Sequence, residues 1–366
     1  MSKGNIESMK IGAAYVGVIV GAGFSTGQEV LKFFTNYGIY SYFAILISGI
    51  MLTFFGRQIS KVGYGLDVDS HEPTITYLFG EKFGKIIDYI LVFFLYAISV
   101  IMVAGSGSAF HESFGIPIWL GSLLMIIAVV GTLLMDFNKI VRALGVVTPF
   151  LIVVVTIIAV YFFFKGHVPL SEVDKYIDPS KQPFKSKFLP ESSLWWFSGL
   201  NYGGLAFATG YSMLAAIGSD ASKKHIAGRG AFIGGITLLV LLLMVNSGLL
   251  SELELVQDSA IPTLVLGRMI HPVLGIALSI IMLMVMYNTI VGLMYSFTAR
   301  LTTPYSKQYI ILLIVSMVIG YALSFVGFVE LVGTVYPIMG YVGLLLCLGL
   351  LFKYIKRKKA GKNHIA

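Results

Sequence analysis

Ten long apolar runs dominate this chain and restrict what it can become. They fall near residues 10–36, 40–60, 86–109, 117–135, 143–164, 194–217, 231–250, 273–299, 308–326 and 330–352. A bilayer takes about 20 apolar residues per helix, and lipid obliges each backbone polar group to be satisfied within the segment. Runs this long and continuous exclude barrel strands, which alternate over about ten residues. With 57% hydrophobic and 12% charged residues among 366, a water-soluble domain is also excluded, because it could not hide that much apolar surface. The single cysteine, Cys347, rules out a disulfide scaffold. The first run is too long for a signal peptide and is followed by Glu29 and Lys32. The expectation is an all-α, polytopic membrane protein with ten transmembrane helices.

Charge sets the orientation. With ten spans both termini share a side, and that side holds 19 of the 26 Lys and Arg residues, against seven on the other. The positive-inside rule then places both termini on the cytoplasmic side of the membrane. The basic tail from Lys353 to Lys362 reads as a stop-transfer anchor near anionic lipid rather than a nucleic-acid arm.

The two halves of the chain repeat. Residues 21–27 read GAGFSTG and residues 204–210 read GLAFATG, an offset of 183. Shifting the first five spans by that offset lands them on the last five. Five is odd, so the second half enters the membrane upside down. A single transmembrane domain, 1–366, thus divides into repeats 1–183 and 184–366, an inverted five-plus-five arrangement. Glycine within a helix costs about 1 kcal/mol relative to alanine. Paired glycine interruptions in inverted halves point to a transporter's central binding site. The competing use of such residues is close helix packing. The duplication favours broken helices 1 and 6.

Ten helices in this arrangement, with a first helix broken at Gly21-Ala22-Gly23, resemble the LeuT-type fold of the amino acid–polyamine–organocation (APC) superfamily. The stretch from Gly21 to Glu29 resembles the YkvI-like bacterial membrane proteins, distant relatives of branched-chain amino acid carriers and spore-germinant receptors. The resemblance implies that Ala22, Gly23 and Phe24 hold a solute carboxylate on free backbone N–H groups. It places an unwound stretch of helix six at Asn201, Tyr202, Gly203 and Gly204, with Phe207 nearby. Tyr96 and Ser99 on span three face the same place. Each aromatic has ordinary core packing as its alternative use.

The resemblance also implies a sodium site, with carbonyls at Gly17, Val20 and Val285 and side-chain oxygens at Asn288 and Thr289. The superfamily prefers Thr or Ser where this chain has Asn288. Helix–helix hydrogen bonding is the other use of such a pair. Span five holds no ionisable side chain, which disfavours the lysine-based proton mechanism of some relatives. Glu29 is the one carboxylate well inside span one, and an intramembrane acid marks function by default. Six residues past Gly23 it reaches toward the outer mouth with Lys32 at i+3. Proton site, solute-amine contact and gate ion pair all stay open. Asp88 and Asp136 read as solvated or capping residues at cytoplasmic helix ends, Glu330 as a helix N-terminal acid, and Arg57 as a snorkelling side chain. The connections 62–85 and 251–272 read as an inner and an outer lid.

No enzyme motif is present. His71, His111, His167, His225, His271 and His364 lie in loops or tails without metal-ligand spacing, and there is no P-loop. The expected function is secondary active transport without a cofactor. It is a sodium-coupled symport of an amino acid or related small zwitterion, with the bilayer and the solute as partners and no nucleic acid. The alternatives are an amino-acid-sensing receptor subunit that transports little and a proton-coupled symporter using Glu29.

Overall fold

A computed structural model describes residues 3–66, 72–135, 147–184 and 193–359. Asp136, His71, His364 and residues 185–192 lie outside the described residues. All regular structure within them is helical. Helix one comes in three pieces, α1 (Lys3–Ile19), α2 (Ala22–Thr26) and α3 (Gln28–Phe33), and a 3-10 turn leads into α4 (Ser41–Leu66). Then follow α5 (Glu72–Phe79), α6 (Glu81–Phe114), α7 (Ile118–Leu133), α8 (Val147–Lys165), α9 (Trp195–Ser219) and α10 (Lys224–Leu250). The chain continues with α11 (Leu253–Val256), α12 (Pro262–Ile270), α13 (Pro272–Leu301), α14 (Lys307–Ser324) and α15 (Phe328–Lys359). Among the described residues, six helices are long and apolar enough to cross a membrane, and two shorter ones, Ile118–Leu133 and Pro149–Phe162, are apolar as well. The protein is a multi-pass membrane protein.

Local sequence sets the helix ends. Gly115, at φ 70°, ends α6 in the left-handed region. Pro272 opens α13, where its missing N–H is harmless, with His271 accepting from the Val273 amide. Ser306 caps α14 through the Tyr309 amide at 3.1 Å. Glu330 sits in the first turn of α15, and Lys356 to Lys359 fill its last turn; both placements complement the helix dipole.

Lipid supplies no hydrophobic drive between helices, so contact relies on small residues. Along α4 and α9, a methyl group on Gly63, Gly199 or Gly218 would strike the backbone of Ala215, Ala44 or Ser60 respectively. Along α1 and α10, Gly12 abuts the backbone of Gly230 and Gly234. These pairs build one bundle, α1–α3 with α4, α9 and α10; α6, α7, α13 and α14 build a second. Exchanging the halves of the chain maps the α1–α10 contact onto the α4–α9 contact and α6–α14 onto α7–α13, a packing pattern consistent with an inverted repeat.

Candidate functional site

The site begins where helix one comes apart. Regular helix stops at Ile19, and the Gly21 amide turns tightly onto the Ile19 carbonyl at 2.8 Å. Gly21 is extended (φ −92°, ψ −164°) before α2 restarts. Thr26 then donates to the Gly23 carbonyl at 2.7 Å and accepts from the Gln28 amide at 3.2 Å. The chain turns again at Gly27, in the left-handed region at φ 77°. Any side chain there would be strained, and a Cβ would come within 2.8 Å of Thr263 Cγ2. This second turn folds Glu29 back toward Gly23.

A cavity of about 450 Å³ opens from this break, walled by helix one, α6, α9, α13 and α15. Against Gly23, in its lining, sits the Glu29 carboxylate. Tyr202 of α9 donates to its Oε2 at 3.4 Å, and Tyr336 of α15 is also hydrogen-bonded to it. Gly23 completes the cluster: a methyl group there would overlap Glu29 Oε1 and stand 3.0 Å from the Tyr336 hydroxyl. The walls are mostly apolar, with Leu95, Ile98, Met102 and Leu293 among them; Thr209, Ser212, Asn288, Thr289 and Ser296 add polar groups. Glu29 is the one ionisable carboxylate among the lining residues, and no Lys, Arg or His lines the cavity.

Besides the break in helix one, the lining includes Leu91, Met213 and Ser296, which lie toward the Glu81, Ser219 and Leu301 ends of α6, α9 and α13. The opposite end is covered. Thr263, in the first turn of α12, donates to the Ser25 carbonyl at 2.6 Å, and Pro262 and Thr263 press on Gly27. Ser198 ties α9 to the Phe33 carbonyl at 2.6 Å, and Gln182 reaches back to the Asn36 carbonyl at 2.9 Å. Part of the long 165–193 connection is therefore docked on the Asn36 end of helix one, where Lys181 also pairs with Asp258 at 2.5 Å.

The residues singled out in the sequence separate on this geometry. Gly23, Tyr202 and Glu29 come together, and Asn288 and Thr289 lie on the same cavity wall. Gly17, Val20, Phe24, Tyr96, Ser99, Asn201, Gly203, Gly204, Phe207 and Val285 do not line it. Ala22 opens α2 beside the cavity. Phe24 and Phe207 are buried in the core, Phe207 against Phe55 and Tyr211. Tyr96 donates to the Ser316 carbonyl and stacks on Phe297, and Ser99 bonds back to Leu95 within its own helix. Of the five expected sodium ligands, Asn288 and Thr289 line the cavity, and Thr289 donates to the Val285 carbonyl at 2.8 Å.

Three expectations need correction. Helix six is not broken: α9 runs without interruption from Trp195 to Ser219. Its glycines serve close approach instead. A Cβ on Gly203 would meet Met51, and Gly204 lies against the backbone of Gly340, Gly343 and Leu344. Asn201 is part of that contact, donating at 3.0 Å to the Pro337 carbonyl of α15. Glu29, expected to reach toward the outer mouth, lies after the Gly27 turn in the cavity instead, beside Gly23, Tyr202 and Tyr336. Asp88 is neither solvated nor a cap: it is 3% exposed and holds Arg300 of α13 at 2.6 Å.

Sequence reasoning missed Tyr336, which shares Glu29 with Tyr202. Its one available signal was the Tyr336-Pro337 pair inside the last span. It also missed Thr209 and Ser212, one and two turns beyond Gly204 on a helix expected to be broken.

No family profile matches the chain. It is 27% identical over 98% of its length to the uncharacterized membrane protein YkvI of Bacillus subtilis (strain 168), covering 99% of that protein. It is 23% identical over 94% of its length to the uncharacterized protein YyaD of the same organism, covering 96% of it. Two solved structures superpose on most of it. MhsT in complex with L-phenylalanine matches 92% of this chain and 88% of its own, with TM-score 0.62 and 14% identity. An Eremococcus coleocola manganese transporter matches 93% and 78%, with TM-score 0.60 and 17% identity. The chain shares its fold with these two proteins, and its sequence is similar to that of YkvI.

Proposed function

We propose that the protein is a secondary active transporter that carries a small organic solute by alternating access, with ten spans in inverted halves 1–183 and 184–366. The observation that carries this reading is the cavity itself. Its lining runs from Gly21 and Gly23 at the break in helix one to Leu91, Met213 and Ser296, and beyond the break Thr263 of α12 bonds to the Ser25 carbonyl. A cavity of this volume is within the usual range for small-molecule sites. The excess of Lys and Arg on the terminal side makes the open end cytoplasmic. Rocking of α1–α4, α9 and α10 against α6, α7, α13 and α14 would close it there and open it outside.

An amino acid or related solute is the expected cargo, in keeping with the L-phenylalanine held by MhsT. A manganese-type cargo fits poorly, because a transition metal takes several N, O or S ligands and this cavity offers one carboxylate. Sodium is the proposed coupling ion, with Asn288 and Thr289 as its cavity-facing ligands. Gly17, Val20 and Val285 would join them once helix one closes on α13. Coupling to protons through Glu29 is the second reading, favoured by its being the one carboxylate that lines the cavity.

The test is uptake into proteoliposomes under an imposed sodium or an imposed proton gradient, with labelled amino acids and amines. Accumulation driven by sodium supports the first reading. Accumulation driven by protons alone transfers coupling to Glu29. Saturable binding with no accumulation under either gradient overturns transport in favour of a sensor.

A further inference from the structure

The lining of the cavity is electrically one-sided. Its only ionisable carboxylate or base is Glu29, and that group is held in place from three directions. Tyr202 and Tyr336, on two different helices and 1% and 3% exposed, both hydrogen-bond to it. Gly23 supplies the hollow in which Oε1 rests, and no larger residue leaves that hollow open. A carboxylate at mid-membrane is costly unless something of opposite charge meets it. Among the described residues, the groups that meet Glu29 are two phenols and a glycine, none of them cationic.

The same place is where a solute carboxylate would have to lie if the helix-one break were its binding site. Glu29 already occupies it. A second carboxylate held about 6 Å from Glu29, at an effective dielectric constant of about 20, would weaken binding on the order of 100-fold. No lining Lys, Arg or His is available to offset that repulsion.

We propose that this protein recognises its solute by an ammonium group paired with Glu29, and that its solutes are primary amines with an apolar body rather than carboxylate-bearing amino acids. The ammonium would sit between Glu29 and the Tyr202 and Tyr336 hydroxyls, with the body along Leu95, Ile98 and Met102. The inference rests on the transport reading, keeps its carrier, and replaces the amino acid expected as cargo with an amine that lacks the carboxylate.

Three matched ligands of one shape make the test: phenethylamine, L-phenylalanine and 3-phenylpropionate. Binding of each to the full-length protein in detergent is measured by calorimetry and by shift of the melting temperature, in sodium and in choline salts. The expected order is phenethylamine tightest, phenylalanine on the order of 100-fold weaker, and phenylpropionate without binding. Glu29→Gln should weaken phenethylamine by at least about 30-fold, as expected for loss of one partner of a buried charge pair. Tyr336→Phe, which keeps the carboxylate, should weaken it by about tenfold. Melting of the unliganded variants shows whether each is folded. Phenylalanine binding more tightly than phenethylamine overturns the inference. So does undiminished amine binding by a folded Glu29→Gln protein, or no binding of the amine at all. The transport reading stands or falls separately, on whether the cavity opens alternately to the two sides.

Discussion

Replacing Gly23 by alanine separates the chemistry of the cavity from the integrity of the fold. The added Cβ would overlap Glu29 Oε1, lie 2.7 Å from Glu29 Cδ and stand 3.0 Å from the Tyr336 hydroxyl. Backbone is not what blocks it, so the Glu29 side chain rotates away and gives up both phenol contacts. Hydrogen bonds to a charged group contribute about 1.5–3 kcal/mol each. The displaced carboxylate enters the open cavity and regains most of that from water, and alanine's helix preference returns up to about 1 kcal/mol. The net cost to folding should then be about 1–2 kcal/mol. Solute binding depends on the carboxylate being where it is, and should fall by about 2–4 kcal/mol, roughly 30- to 1,000-fold. Gly131→Ala on α7 is the control, because a Cβ there meets nothing within 4 Å and Gly131 does not line the cavity. It should leave binding within about twofold of the wild type, since the change touches no partner. The assay is calorimetric binding of phenethylamine beside melting in detergent. Wild-type affinity in Gly23→Ala, or equal losses in both variants, would refute the reasoning.

Other perturbations test neighbouring parts of the structure. Gly343→Ala drives a methyl group into the Gly204 carbonyl, so α9 and α15 must separate; a loss of about 3 kcal/mol or more is expected, read as reduced folded yield and faster thermal inactivation. Arg300→Ala strands the buried Asp88 carboxylate and should cost toward the low end of about 3–5 kcal/mol, because Arg300 is 38% exposed; adding Asp88→Asn should recover most of the lost melting temperature. Outside the membrane, hydrogen bonds from the Ser222 hydroxyl and amide hold the Glu7 carboxyl below its ordinary value of 4.5. A depressed folded-state value means the contact contributes stability above that pH and loses it as pH falls through the lowered value. The protection factor of the Ser222 amide, its exchange rate relative to the intrinsic rate at each pH, should therefore fall in acid for the wild type and be reduced across the pH range in Glu7→Gln.

The sequence shows what depends on one helix at a time, and conceals what depends on two. Long apolar runs report membrane spans directly, because lipid leaves the backbone no alternative. Gly21 and Gly23 mark the interruption of helix one for a similar reason: a restart needs residues that tolerate exposed backbone. The matching glycines of helix six carry the same letters but a different duty. Gly203 and Gly204 have Met51 and the backbone of α15 as neighbours, so tertiary contact keeps α9 helical. The place of Glu29 was hidden for another reason. It follows from the left-handed turn at Gly27, which Pro262 and Thr263 enforce from the far half of the chain. Tyr336 enters through the same long-range packing. Asp88 looked like a helix-end residue because its partner, Arg300, is distant in sequence.

The most direct test of alternating access is the side from which the cavity wall can be reached. Ser212 lines the cavity, and the single native cysteine, Cys347, is 3% exposed and so contributes little background. In oriented vesicles, Ser212→Cys should react with a membrane-impermeant thiol reagent applied on the side of the termini. Solute with sodium should slow that reaction, and Thr263→Ala, which frees the outer end, should bring labelling from the opposite side. Labelling from neither side, or equal labelling from both whatever solute or ion is present, would contradict a carrier that opens to one face at a time.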